Sequence, residues 1–501
     1  MKFIRNGILP ACFATKIFLK ILPWASACLV LASLACGGGG GAGAADNSKP
    51  TATLTVDQGT TIQPLSSGIV RLKDAPSGGT ATWQIVAQTS SAQLISTAQD
   101  HAEFLPTTNQ LGTFQIQCNV NYPSGASVTA QVEINVVLKS ATDGNLAYPR
   151  YEHIQTALGD GRPLVSGGVV MCNGGAYFPS AEVYDPGTRH FRQTTGYMQR
   201  ARRGYTVTPL LDGTLLLAGG FDGGPPGMGL LHDSEIYDPA TDAFQLVAAP
   251  LTTGHSDHCA CRLLDGRVLV VGGVVGDSLS TAVLPSAEIF DPGTKTWNAT
   301  KGLPNFARRF GHCERLPNGQ VLVFGGRPFL GSDLVGQAEL FDPQTGEFTL
   351  ASEMMVPRLA FSTVVLGDGR ILILGGLGDS GVCADVEIYD PGAGTFRLVS
   401  PMAQARCWFT ATPIAGSDDV LLAGGGDPNS YTLSSLERYN PVIGTSELLP
   451  ASLSVSVQNL AASSMADGTI ILTGGINATG AGPSNLVQIF NPSNNTLSLN
   501  Q

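Results

Sequence analysis

A glycine doublet returns seven times in this chain, each time closing a short apolar run: Gly167-Gly168, Gly219-Gly220, Gly272-Gly273, Gly325-Gly326, Gly375-Gly376, Gly424-Gly425 and Gly474-Gly475. The steps between copies are 52, 53, 53, 50, 49 and 50 residues. A chain that repeats itself at this interval folds as a series of like units. Each is too small to bury its own apolar surface and is covered by its neighbours.

The content of one repeat says what the unit is. The segments Leu215–Ala218, Val268–Val271, Val321–Phe324 and Ile371–Leu374 are uninterrupted apolar runs of four residues. Runs this short, bounded by turn residues, read as strands buried on both faces. Asp212-Gly213, Asp265-Gly266, Asn318-Gly319, Asp368-Gly369 and Asp467-Gly468 precede them and predict hairpins with positive φ at both central residues. The doublets allow close backbone approach where units crowd. Asp185-Pro186, Asp238-Pro239, Asp291-Pro292, Asp342-Pro343 and Asp390-Pro391 mark a second turn, with proline presetting φ. Phe191, Phe244, Trp297, Phe348 and Phe396 follow and are expected to fill the gap between units.

The repeat is therefore a four-stranded sheet. Repeat 2 reads RRGYTVTPLLDGTLLLAGG, then a loop, then SEIYDPATDAF; repeats 3, 4 and 5 close with AEIFDPGTKTW, AELFDPQTGEF and VEIYDPGAGTF. This resembles the kelch repeat over about 350 residues, and the resemblance implies a β-propeller of the galactose-oxidase-like central-domain type. Repeats 6 and 7 drift, with Tyr439-Asn440-Pro441, Phe490-Asn491-Pro492 and Leu497 in the aromatic position. The fold class is all-β: a seven-bladed kelch β-propeller over 148–501, preceded by a small immunoglobulin-like β-sandwich. No blade is expected to be shared between the chain ends, although Gly144–Tyr148 offers an extra strand.

The amino end reads as an export signal over 1–35. Lys2, Arg5, Lys16 and Lys20 precede the apolar stretch ILPWASACLVLASLA, which is too short to span a bilayer as a helix. Ala32-Ser33-Leu34-Ala35-Cys36 resembles the lipobox of bacterial lipoproteins, with Ser33 where leucine is usual. The resemblance implies lipidation of Cys36, and Gly37 after it favours the outer membrane. A cleaved signal or an uncleaved anchor is the alternative. Residues 36–50, with five consecutive glycines, read as a flexible tether. The implied location is the cell envelope, as an outer-membrane or surface lipoprotein, or else secreted or periplasmic.

Residues 51–138 alternate apolar and polar positions in several strand-like segments, the basis for the sandwich. Trp83 is the expected core plug and Cys118 has no partner inside the unit. Residues 139–147 read as a linker. Beyond the signal, 24 basic residues face 39 acidic ones, which argues against nucleic acid or an anionic membrane surface as partner. Of ten cysteines, Cys259, Cys261 and Cys313 fall on neighbouring first strands, where one bridge is plausible.

Two constellations carry candidate chemistry. His255-Ser256-Asp257-His258-Cys259-Ala260-Cys261, with His312-Cys313, contains metal-ligating types. Strand neighbours point to opposite faces, so His258 and Cys259 do not readily share an ion, and neither metal nor cofactor is expected. The second is a series ten residues before each hairpin turn: Arg150, Arg202, His255, Arg308 and Arg358, with Arg406 in repeat 6 and Val457 breaking it in repeat 7. In some kelch proteins such arginines ring the channel mouth and hold acidic ligands, which makes these six residues the candidate binding site. Alternatively each pairs with Glu182, Glu235, Glu339, Glu387 or Glu437, or binds carbonyls of its own loop.

The loops after the doublets, Val169–Pro179, Phe221–His232, Val274–Pro285, Arg327–Gly336 and Asp427–Ser435, are a second candidate surface. The reading is a monomeric, membrane-tethered, extracytoplasmic binding or adhesion module for a protein or glycan, anionic ligands included. The alternatives are an extracytoplasmic enzyme of copper-oxidase or sugar-modifying type, and a passive scaffold.

Overall fold

The computed structural model describes residues 52–136, apart from 58–60, 63–67, 74–78, 89–91 and 107–111, and residues 144–500, apart from 170–178, 223–228, 276–284, 329–332, 429–431 and 478–481. The signal, Cys36, the tether, Cys172 and much of the loop surface lie outside the described residues. The chain divides into two units, Met1–Lys139 and Ser140–Gln501.

The described part of the first unit holds two four-stranded sheets. One orders its strands Thr53–Val56, Gly68–Lys73, His101–Pro106 and Ala92–Thr97; the other orders them Thr61–Ile62, Ser127–Val136, Gly112–Asn121 and Thr80–Gln88. Every second residue from Phe114 to Val120 is buried, as an alternating strand requires. Val70, Phe114, Ile116, Cys118 and Ile134 fill the centre. Trp83 does not plug this core. It packs half-buried at the margin, where its indole N–H donates to the Ala98 carbonyl at 2.8 Å. A buried indole needs an acceptor, and that acceptor lies at the sheet edge.

The second unit contains seven four-stranded antiparallel sheets among the described residues, each from one contiguous stretch of chain with its strands in sequence order. Sheet 1 comprises Ile154–Ala157, Pro163–Ser166, Ala181–Asp185 and His190–Gln193. Sheet 7 comprises Ala461–Ser464, Ile470–Thr473, Val487–Asn491 and Thr496–Leu499. The first strands of the sheets between begin at Thr206, Cys259, His312, Ser362 and Thr410.

The apolar second strands explain the stacking. Leu215 and Leu217 join a core with sheet 1, whereas Leu216 and Ala218 join a core with sheet 3. Ile371 and Ile373 face sheet 4, and Leu372 and Leu374 face sheet 6. A strand clothed on both sides is apolar at every position, and each such side chain contributes roughly 1.5–3 kcal/mol on burial. One apolar cluster fills each interface, and the last joins Ile471 and Val487 of sheet 7 to Val165, Tyr184 and Phe191 of sheet 1. Gln155 reinforces that closure by donating to Ser463 Oγ at 2.7 Å and to the Ile471 carbonyl at 3.1 Å.

The segment read as a linker is half structural. Leu146 is buried in the sheet 7–sheet 1 cluster, its N–H bonds the Asn485 carbonyl, and Asn145 Oδ1 accepts from the Val487 N–H. Asn500 Nδ2 in turn donates to the Gly144 carbonyl. These contacts bind the two ends of the unit together without adding a strand.

The hairpins correct one expectation. Only the glycine takes positive φ, +86° at Gly213 and +91° at Gly266. The preceding aspartate instead accepts the N–H two residues on, as Asp212 does from Thr214 at 3.0 Å. The fourth-strand aromatics do fill the gaps. Trp297 of sheet 3 donates to Ser234 of sheet 2 at 3.0 Å, and Phe396 packs among sheet 4 residues.

Candidate functional site

The arginine series is the most regular polar feature of the ring. Arg150 donates to Glu182 at 2.7 Å, Arg202 to Glu235 at 2.6 Å, Arg308 to Glu339 at 2.7 Å, Arg358 to Glu387 at 2.6 Å and Arg406 to Glu437 at 2.8 Å. Each guanidinium also reaches the carbonyl of the first glycine of its repeat's doublet, at Gly167, Gly219, Gly325, Gly375 and Gly424. His255 keeps the pattern: its ring lies 2.8 Å from the Gly272 carbonyl and 3.2 Å from Glu288. Burial alone would raise Glu288, but hydrogen bonds from His255 and Thr252 outweigh it and hold its pKa at about 2.

Each glutamate has a second task. It accepts backbone N–H groups from the turn entering its own sheet: Ala147 for Glu182, Gln199 and Arg200 for Glu235, Thr252 and Thr253 for Glu288, Met355 and Val356 for Glu387. The pair therefore ties three separated segments of each repeat together. In sheet 7 both partners change at once. Val457 replaces the arginine, Gln488 replaces the glutamate, and Gln488 still accepts the Ser454 N–H at 3.0 Å.

This corrects the candidate binding site. Arg150, Arg202, His255, Arg308, Arg358 and Arg406 have relative exposures of 0 or 1%. The five arginine charges, so deep, are held by their glutamates, and none of the six side chains is open to solvent. They fix the backbone on which the mouth of the ring is built.

Two residues beyond each member of the series, the chain takes the left-handed conformation: Glu152, Gly204, Asp257, Phe310, Ala360, Trp408 and Asn459, with φ between 52° and 59°. Their backbones join neighbouring sheets. Asp257 N–H bonds the Gly204 carbonyl at 2.7 Å, Phe310 that of Asp257 at 3.0 Å, Trp408 that of Ala360 at 3.0 Å, Asn459 that of Trp408 at 2.9 Å and Glu152 that of Asn459 at 3.4 Å. Five of the seven junctions carry such a bond, and those from Glu152 to Gly204 and from Phe310 to Ala360 do not. The seven residues form an interrupted rim where the innermost strands, which touch one another from sheet to sheet, begin.

The rim has two sectors. Glu152 pairs with Arg203 at 3.3 Å and Asp257 with Arg309 at 2.9 Å, an arc of alternating charge. Burial pushes both carboxyls up, opposed by the arginines beside them, and Asp257 adds to the rise at Glu152. Gly204 sits between the two acids because a Cβ there would lie 2.6 Å from Asp257 Oδ1. In the other sector Phe310 and Trp408 meet edge to face at 5.3 Å, and Arg309 lies 4.4 Å over the Phe310 ring. Sequence reasoning missed the rim; counting two residues on from each arginine would have found it.

Known proteins share parts of this architecture. The Kelch motif matches residues 257–303 and 358–403. Kelch-like protein 15 of Danio rerio is 30% identical over 174 residues, covering 31% of this chain and 27% of that protein. An F-box/kelch-repeat protein of Arabidopsis thaliana is 33% identical over 144 residues, covering 28% of this chain and 35% of that protein. The chain thus spans about a third or less of the curated relatives it matches. A fungal alcohol oxidase of the AA5 family, solved in complex with copper, superposes with a TM-score of 0.55 at 16% identity, covering 72% of this chain and 79% of that one.

Among the described residues no group of three or more His, Cys, Asp and Glu side chains is arranged to hold a metal ion. His255 is committed to Gly272 and Glu288, and His258 to Thr206 at 2.9 Å.

Proposed function

This chain is a kelch-repeat β-propeller, and from that premise we propose that it is a binding module that captures a protein partner at the rim of the central opening. One observation carries the reading. The seven rim positions share one backbone geometry yet bear Glu, Gly, Asp, Phe, Ala, Trp and Asn. A left-handed backbone costs an L-residue roughly 1–2 kcal/mol, and glycine relieves that cost, as at Gly204. Phenylalanine and tryptophan are among the side chains least suited to it. Their presence at these half-buried positions suits contact with a partner rather than stability. Aromatic and arginine anchors beside paired charges are the usual composition of a protein-binding centre.

We extend the proposal to the setting. The amino-terminal sequence supports export and tethering through a lipidated Cys36, which would place this rim outside the cytoplasm. Labelled palmitate incorporation that is lost in Cys36→Ala tests the anchor. The rim is tested by a photo-crosslinking residue at Asn459 against one at Leu211, a hairpin-tip residue, in cells that make the protein. Crosslinks to one defined partner from Asn459, and none from Leu211, are expected. Equal labelling from both positions would sink the reading.

A further inference from the structure

The inner strands of neighbouring sheets meet in a fixed pattern. At the sheet 4–sheet 5 interface Thr363 donates to Glu314 at 2.8 Å, and at the sheet 7–sheet 1 interface Gln155 donates to Ser463. In repeat terms the sixth residue after one arginine position faces the fifth after the next. At the interface of sheets 3 and 4 the same rule opposes Cys261 and Cys313. Cys259, two residues back on the same strand face, takes the place from which His312 reaches Thr363 at 3.5 Å at the next interface, so Cys259 and Cys261 flank Cys313. Cys261 and Cys313 belong to the apolar cluster of this interface, against which Cys259 packs, and all three are free thiols. Three thiols thus gather where two sheets abut, in the one repeat whose arginine is replaced by a histidine.

The three differ in access. Cys261 and Cys313 are buried, and Cys259 is half-buried. Burial pushes the Cys261 thiol up to about 12 and raises Cys313 as well, so both stay protonated at neutral pH. Cys259 is the sulfur that a solution disulfide meets first.

We propose that Cys259 and Cys313 are a dithiol–disulfide pair whose oxidation staples sheets 3 and 4 together across the inner strands. The oxidant is a small-molecule or protein disulfide. The Cys259 thiolate attacks one sulfur of that disulfide and expels the other as a thiolate. Cys313, losing its proton, then attacks the Cys259 sulfur of the mixed disulfide and expels the second thiolate. The two cysteines lose two electrons and two protons in total, and the oxidant becomes two thiols.

The test treats the native full chain with oxidised glutathione, then denatures, alkylates and digests it for peptide mass mapping. The expected result is a peptide pair linking Cys259 to Cys313, two fewer alkylated cysteines, and a higher urea midpoint that dithiothreitol reverses. In Cys313→Ser the link disappears and Cys259 carries glutathione instead; in Cys261→Ser the link persists. A Cys261–Cys313 link, a link through other cysteines in its place, or full alkylation of all three after oxidation overturns the proposal. Should Cys313→Ser fail to fold, the peptide map of the unmodified chain decides.

Discussion

Arg358 donates to Glu387 at 2.6 Å with neither side chain exposed, whereas the same two places in sheet 7 hold Val457 and Gln488. The chain thus contains its own double substitution. Arg358→Val alone leaves a buried carboxylate without its counter-charge and should cost about 3–5 kcal/mol. Arg358→Val combined with Glu387→Gln reproduces the sheet 7 arrangement and should recover most of that loss. Urea unfolding of both single variants and the double variant measures the coupling, and strictly additive losses would contradict it.

Acid should loosen the closure of the ring. His153 sits between sheets 1 and 7, its Nε2 2.9 Å from Thr473 Oγ1. Burial, aided by the Arg150 charge, drops its pKa to about 3. Between the ordinary value of 6.5 and about 3 the unfolded chain binds a proton that the folded chain refuses. Stability from this residue is therefore complete above pH 6.5 and falls as the pH drops, by about 1.4 kcal/mol per unit. His258 is lowered by burial, and by the His255 charge, in the same sense. Comparing unfolding free energies at pH 7.5 and 5 for the unmodified chain and His153→Gln should show a smaller difference in the variant.

Two glycines of positive φ, Gly213 at +86° and Gly375 at +57°, should respond differently to alanine. Gly213 has φ of +86° and open space where a Cβ would go, so Gly213→Ala should cost roughly 1–2 kcal/mol from conformation alone. A Cβ on Gly375 would lie 2.5 Å from the Arg406 carbonyl oxygen, which also accepts the Gly376 N–H at 2.9 Å. Gly375→Ala should cost about 3 kcal/mol or more, because the neighbouring sheet must move. Thermal unfolding of the two variants checks the order.

Trp408 separates binding from stability. Trp408→Gly relieves its left-handed backbone, with φ of 52°, and loses the ring contact with Phe310. These terms are each about 1 kcal/mol and oppose one another, but the half-buried ring also packs against the Leu359, Ala360 and Cys407 cluster, so stability should fall by about 1–2 kcal/mol with the fold kept. Partner capture at the rim should nevertheless fall at least tenfold, as loss of a hot-spot aromatic does. A variant that unfolds, or one that binds unchanged, would contradict this.

The repeat and its strands were legible because their causes are local. Apolar runs, Asp-Gly and Asp-Pro turns and glycine doublets each act within a few residues, so Leu215–Ala218 or Ile371–Leu374 could be placed from spacing alone. The arginine series was equally visible, but its meaning was not. Whether Arg308 faces an opening or a glutamate depends on where Glu339, 31 residues away, is brought by the intervening strands. Burial belongs to the folded chain and to no segment of it. The rim lay further still from view, since Phe310, Ala360 and Trp408 share no chemistry, and their common place two residues after each arginine gains a meaning only when the sheets are set side by side. Sequence by itself determined the unit and its repetition; tertiary structure decided which side chains that unit hides and which it presents, because both depend on neighbours supplied by another repeat.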